Sequence, residues 1–199
     1  VLANVFSQPA QDPLGLTRAQ FDADPQQTTP LATQFDTRKD QSQTQLGATW
    51  THRYDEGAMR EARLMAYAGH RSVTQYLAIT SQVQTNARHG GGVVDFDRDF
   101  MGSEARMRFA WTNLDLQVGL SVDDQRDARR GYNNYTGTVA APVYGQQGDL
   151  RRDETNRART TDAFAQAEWA FATDWMATGG LRSGRVDKII RVDARGALS

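Results

Sequence analysis

Three groups of residues in this sequence have types and spacings that could do chemistry. His89, Gly90, Gly91 and Gly92 form a glycine-rich run of the kind that turns backbone N–H groups toward a developing oxyanion in ester hydrolysis. That chemistry needs a companion G-x-S-x-G elbow to present a nucleophile. None occurs: Ser121 follows Gly119 by two positions, but Asp123 stands where the second glycine is required. The run therefore reads as a flexible loop leading into a strand. Asp95, Asp97 and Asp99 are spaced like the first ligands of a calcium loop. Its sixth position is Phe100 instead of Gly and its twelfth is Arg106 instead of Glu, which excludes an EF-hand. The three carboxylates share one strand parity and read as partners for arginines on neighbouring strands, with a looser cation site as the alternative.

The third group is basic. Arg126, Arg129, Arg130, Arg151, Arg152, Arg157 and Arg159 crowd one polar region, and Arg129 and Arg130 stand beside Tyr132 and Tyr135. Arginine offers charge with planar donors, and tyrosine a rigid face with a hydroxyl, so these four are the candidate substrate-binding residues for an anionic or aromatic ligand. Against this, each arginine could pair with Asp123, Asp124, Asp127, Asp149, Asp153 or Glu154. No catalytic set emerges. His52, His70 and His89 lack zinc spacing, there is no cysteine, and no phosphate-binding glycine loop is present. A formal net charge of −1 removes a protein-wide basic field for nucleic acid. The chain reads as no enzyme, with no cofactor and no resident metal.

What must position these groups is a set of two-faced strands. In the stretch from Leu114 to Val122, Leu114, Leu116, Val118, Leu120 and Val122 alternate with Asp115, Gln117, Gly119 and Ser121. Successive strand side chains point to opposite faces, so this pattern is a β-strand with one oily side. The same parity recurs over 43–54, 59–70, 100–111, 161–171 and 175–185, giving six strands in three hairpins. Residues 1–42, with four of the five prolines, read as loop. So do 71–92 and 123–160, and the tail 186–199 is either a seventh strand or irregular.

Connections sort by length. Three tight turns lie on one side, and the three long segments on the other, as in transmembrane barrels with short periplasmic turns and long extracellular loops. Trp50, Tyr54, Trp111, Trp169, Phe171 and Trp175 fall near the short turns, where an interfacial aromatic girdle belongs. The opposite faces carry recurring charges suited to a polar lumen. The fold class is thus all-β: antiparallel up-and-down strands forming part of a large transmembrane β-barrel. The rival is a self-contained soluble or cell-surface β-domain that binds a protein or glycan through its loops.

The segments "DPLGLTRAQFDADP", "GGVVDFDRDFMG", "RRGYNNYTG", "LRRDETNRA" and "TDAFAQAEW", followed by "GGLRSGRV", resemble in their order the barrel of TonB-dependent outer-membrane receptors, particularly ferric-siderophore receptors. The likeness runs from about residue 10 to about residue 186. It implies a bacterial outer-membrane location and import of a ferric siderophore or similar chelate. It also implies contact with outer-membrane lipid and energy from TonB, received through an N-terminal region this chain lacks. The chain reads as a middle section of such a barrel, with no plug domain and no terminal aromatic residue, and its tail from Asp187 departs from the family.

Overall fold

The structure, a computed structural model, describes residues 1–195. In chain order the elements are β1 (Leu2–Gln11), α1 (Arg18–Ala23), α2 (Pro30–Phe35), β2 (Arg38–Arg53), β3 (Met59–Tyr76) and α3 (Ser81–Gln84). Next come β4 (Val93–Ala110), β5 (Leu114–Tyr132), β6 (Tyr135–Gly137), β7 (Pro142–Tyr144), β8 (Leu150–Ala172) and β9 (Trp175–Arg195). Seven strands form one antiparallel sheet in the order β1-β2-β3-β4-β5-β8-β9, and β6 and β7 form a separate hairpin inserted between β5 and β8. The sheet is open, as a section of a barrel is.

All six predicted strands are present, and their ends at the short turns match. Across Thr112 and Asn113, Leu116 stands opposite Phe109 and Val118 opposite Met107, as the hairpin requires. The far ends differ. The loop expected over 71–92 shrinks to 77–92, and that over 123–160 shrinks to 133–149. Apolar parity marks only where one face meets oil, whereas the backbone ladder needs no apolar side chain to continue. A strand crosses a bilayer in roughly 9–11 tilted residues. With 19 residues in β5 and 23 in β8, both strands are longer than such a crossing needs.

Residues 1–42 are not one loop. Leu2–Gln11 pairs with β2 from Leu2 opposite Gly47 to Gln11 opposite Arg38. Both faces of β1 mix polar and apolar residues, which erased its signal, and Pro9 is tolerated because β1 is an edge strand. Two short helices follow. Thr17 and Gln20 cap α1 reciprocally, and Thr29 with Pro30 starts α2. The seven-strand count is therefore reached through β1. Residues 186–195 extend β9 instead of forming a strand of their own, with Lys188 opposite Ala158 and Ile190 opposite Asn156.

Burial locates the oil. Phe35, Val93, Thr37, Ser81, Gln84 and Asn134 are the most enclosed side chains, and all lie at the long-loop end. Within the sheet, by contrast, Leu64 is 52% exposed and Leu120 51%. No second layer covers the apolar parity among the described residues, which removes the self-contained sandwich. Trp50, Tyr54, Trp111, Trp169, Phe171 and Trp175 are all exposed beside the short turns, Trp169 and Phe171 with ring centres 5.5 Å apart. They make the girdle that the sequence anticipated.

Candidate ligand-binding vestibule

Register carries each residue to one of two faces. The outward face follows Leu46, Leu64, Ala105, Leu120, Ala163 and Leu181, and the inward face holds the residues between them. From the row Gln45, Gly69, Phe100, Gln125, Ala158 and Lys188 toward the loops, the inward positions among residues 1–192 carry six cations: Lys39, Arg71, Arg98, Arg129, Arg152 and Lys188. Two carboxylates, Asp127 and Glu154, oppose them. Deeper inward rows are balanced. There Arg53, Arg63, Arg106, Arg108 and Arg182 meet Glu61, Glu104, Asp115, Asp123, Asp162 and Glu168. Positive charge is thus concentrated at the mouth of the inward face.

The mouth cations differ in how they are held. Arg98 makes a two-pronged bond to Asp127, Nε to Oδ1 at 2.8 Å and Nη2 to Oδ2 at 2.9 Å, and lies 4.9 Å from the centre of the Phe96 ring. Arg129 and Arg152 share Glu154 loosely, at 3.7 and 3.8 Å. Lys39, Arg71 and Lys188 form no hydrogen bond or ion pair among the described residues. Two hollows open here. One of about 420 Å³ is lined by Arg129, Asn156 and Lys188 among others, and one of about 320 Å³ by Gln43, Arg71, Arg98 and Phe100 among others. Unpaired cations beside aromatic rings suit an anionic, partly planar guest.

Above the vestibule the three long connections pack into one cap. Gln84 Nε2 donates to Asn134 Oδ1 at 2.7 Å, and the Asn134 N–H donates back to Gln84 Oε1 at 3.2 Å. Asn134 Nδ2 also donates to the carbonyls of Leu77 and Ile79. Phe35 packs on Tyr144 with ring centres 4.2 Å apart, and Arg38 reaches the Gly145 carbonyl. Ser81 takes part from α3, its hydroxyl donating to the Val139 carbonyl at 2.9 Å.

The four residues singled out in the sequence do not converge. Arg129 faces inward, while Arg130 faces outward between Asp95 at 3.9 Å and Asp153 at 3.8 Å. Tyr132 is half-buried at the end of β5, and Tyr135 is buried in the cap against Tyr144. Sequence neighbours can share a surface in a loop, but Arg129 and Arg130 lie within β5, where adjacent side chains point to opposite faces. Missed were Lys39, Arg71, Arg98 and Lys188, which extending the strand parity past its apolar stretch would have found. The aspartates are arranged as partners: Asp95 with Arg130, and Asp97 and Asp99 with His70 at 3.7 and 2.8 Å. Burial, then Asp97, pushes the Asp95 carboxyl above its ordinary range, with Arg130 opposing. No group of three or more His, Cys, Asp or Glu among the described residues could hold a metal ion. The His89–Gly92 run is a close-packed crossing, not a flexible loop, because Gly91 lies on the Tyr132 backbone and Gly92 on Asn134.

The model of the TonB dependent receptor-like beta-barrel family matches residues 3–191. A crystal structure of the ferric citrate transporter FecA in its unliganded form superposes with a TM-score of 0.65 at 16% identity, over 97% of this chain and 27% of that one. At that identity the likeness concerns the fold, and the chain spans about a quarter of the transporter's length. An open, chain-ordered sheet with an uncovered apolar parity, girdled by aromatics at its short turns, is what a sector of such a barrel looks like in isolation. The chain belongs to the TonB-dependent receptor-like β-barrel family.

Proposed function

We propose that this chain is part of the wall and mouth of a bacterial outer-membrane receptor that imports an anionic metal chelate of the ferric-siderophore or ferric-carboxylate class, driven by TonB. The observation that carries the reading is the charge of the inward mouth: six cations against two carboxylates, with three of the cations unpaired. In the four outward rows at the same height, Arg38, Arg126, Arg130, Arg157 and Arg191 are matched by Asp40, Asp95, Asp97, Asp99 and Asp153, so the excess is particular to the inward side. A vestibule of one sign focuses its field and raises the local concentration of the oppositely charged guest. The metal is cargo and stays in its chelate. The similar structure is of a ferric citrate transporter, and citrate is a carboxylate ligand of the kind these cations would attract. TonB would engage a region outside this chain. Of the four residues read from the sequence, the proposal keeps Arg129 as a ligand-facing group and gives Arg130, Tyr132 and Tyr135 the task of holding wall and cap.

The test replaces Lys39, Arg71, Arg129 and Lys188 together with Gln in the full receptor and titrates ferric citrate and an anionic ferric siderophore. Affinity for the chelate the parent prefers should fall at least about tenfold, or ~1.4 kcal/mol. The loss should be largest at low salt, with insertion and heat stability unchanged. Unchanged affinity, or a parent receptor that prefers cationic chelates, would contradict the reading.

A further inference from the structure

The long connections grip the ends of the wall strands from both sides. On the outward side, Arg38, Tyr76, Val93 and Tyr132 stand in one row across β2, β3, β4 and β5. The Arg38 guanidinium lies 3.5 Å from the centre of the Tyr76 ring, its Nη2 donates to the Gly145 carbonyl at 3.2 Å, and Val93 is wholly enclosed. On the inward side the 77–92 segment lies against β5, where a Cβ on Gly131 would collide with the Gly90 carbonyl oxygen. Together, 133–149 and 77–92 straddle the rim.

The same two segments are locked to one another. Asn134 is 0% exposed and Gln84 1%, and each spends its amide on the other's segment: Gln84 Nε2 donates to Asn134 Oδ1, and Asn134 Nδ2 donates to the Leu77 and Ile79 carbonyls. Withdrawing one segment leaves the other's amide enclosed without its partner, so the two leave together or not at all. Phe35 against Tyr144 and Asp36 against Gly145 tie in the segment 12–37. Yet the residues lining the two vestibule hollows all come from the wall strands, and none from 12–37, 77–92 or 133–149. We infer that the cap is a clip: it fixes the rim from both sides and leaves the vestibule open, so that the chelate enters a preformed site without these connections closing over it. The inference rests on reading the inward mouth as the ligand vestibule, and not on which chelate enters.

The test uses the full receptor reconstituted in bilayers. Nitroxide pairs among Leu31, Val83 and Val143, exposed positions on the three connections, and between Val143 and Val186 on the inward face of β9, give distances by pulsed electron resonance. They are measured without chelate and with saturating ferric citrate or an anionic ferric siderophore, whichever the parent binds. Ligand-free distributions should be narrow, and binding should move none of them by more than about 2 Å, as in preorganised complexes. Asp40→Cys/Gln146→Cys, both at exposed positions, allows a flexible bis-maleimide to tie 133–149 to β2 beside the Arg38 bond to Gly145. Cells carrying the tied receptor should import chelate as fast as cells in which the same variant carries a monofunctional maleimide. Broad ligand-free distributions, a 143–186 distance that shortens by more than about 2 Å on binding, or import lost only on cross-linking would overturn the clip. A parent receptor that binds neither chelate would overturn the proposed cargo alone, and the ligand-free distances would still decide the clip.

Discussion

A receptor carrying Val118→Arg should be less stable in lipid than its parent by about 2–4 kcal/mol. Val118 is the middle of the five alternating apolar residues of β5 and has Met107 and Ala165 as its cross-strand neighbours. An arginine there has no carboxylate within its own rows and would place its charge near the bilayer midplane. One position away the same substitution should be mild. Gln117→Arg enters the inward face opposite Arg108, whose charge is already committed to Asp115. The added repulsion across one ladder is worth under about 1 kcal/mol. Unfolding of both variants in lipid vesicles, followed by denaturant titration, measures the difference. Equal costs would remove the lipid-facing assignment of β5.

Gly91→Ala should be the most damaging single methyl in the cap. Gly91 has φ +89°, and a Cβ added to it would lie 2.1 Å from the Tyr132 carbonyl oxygen and 2.5 Å from its carbon, both backbone atoms that cannot turn away. Strain of that kind costs of order 1–3 kcal/mol before any clash is counted. The segment would lift from the end of β5, breaking the Gly92 N–H bond to the Tyr132 carbonyl at 2.8 Å and exposing the Asn134–Gln84 pair. Hydrogen exchange over 77–92 and 133–149 should accelerate by about a hundredfold or more, as expected for a loss near 3 kcal/mol, while the exchange of β3–β5 near the short turns stays slow. Gly15→Ala is the control, since an added Cβ meets nothing within 4 Å. Exchange in Gly91→Ala indistinguishable from that in Gly15→Ala would mean the crossing carries none of the cap's stability.

These two sites show how far the sequence could be read. Around Val118 every second residue is apolar, so strand and register were legible, as were the tight turns at 54–58, 111–113 and 173–174. Past the oil nothing imposes parity. β5 runs on from Asp123 to Tyr132 with both faces polar, and the strand looked like loop. That one error scattered the candidate site, because adjacent Arg129 and Arg130 point to opposite sides of a wall. The cap was illegible for a different reason. Gln84 and Asn134 lie 50 residues apart and meet only because β4 and β5 bring both loops to one end, and no local period records that. The glycines of the His89 run were visible, but their use, letting two backbones cross, depends on the same distant partner.

If the chain is the wall of an outer-membrane receptor, β5 should alternate between lipid and lumen from Leu114 to Val122 and then leave the membrane. Nitroxide labels placed singly from 114 to 130 in the full receptor, reconstituted in bilayers, report it directly through collisions with oxygen and with a water-soluble nickel chelate. Oxygen access should peak at 114, 116, 118, 120 and 122 and fall at the intervening positions, and at 126 and 130 the nickel chelate should take over. Oxygen access without a two-residue period across 114–122, or nickel access equal at 118 and 126, would contradict the account.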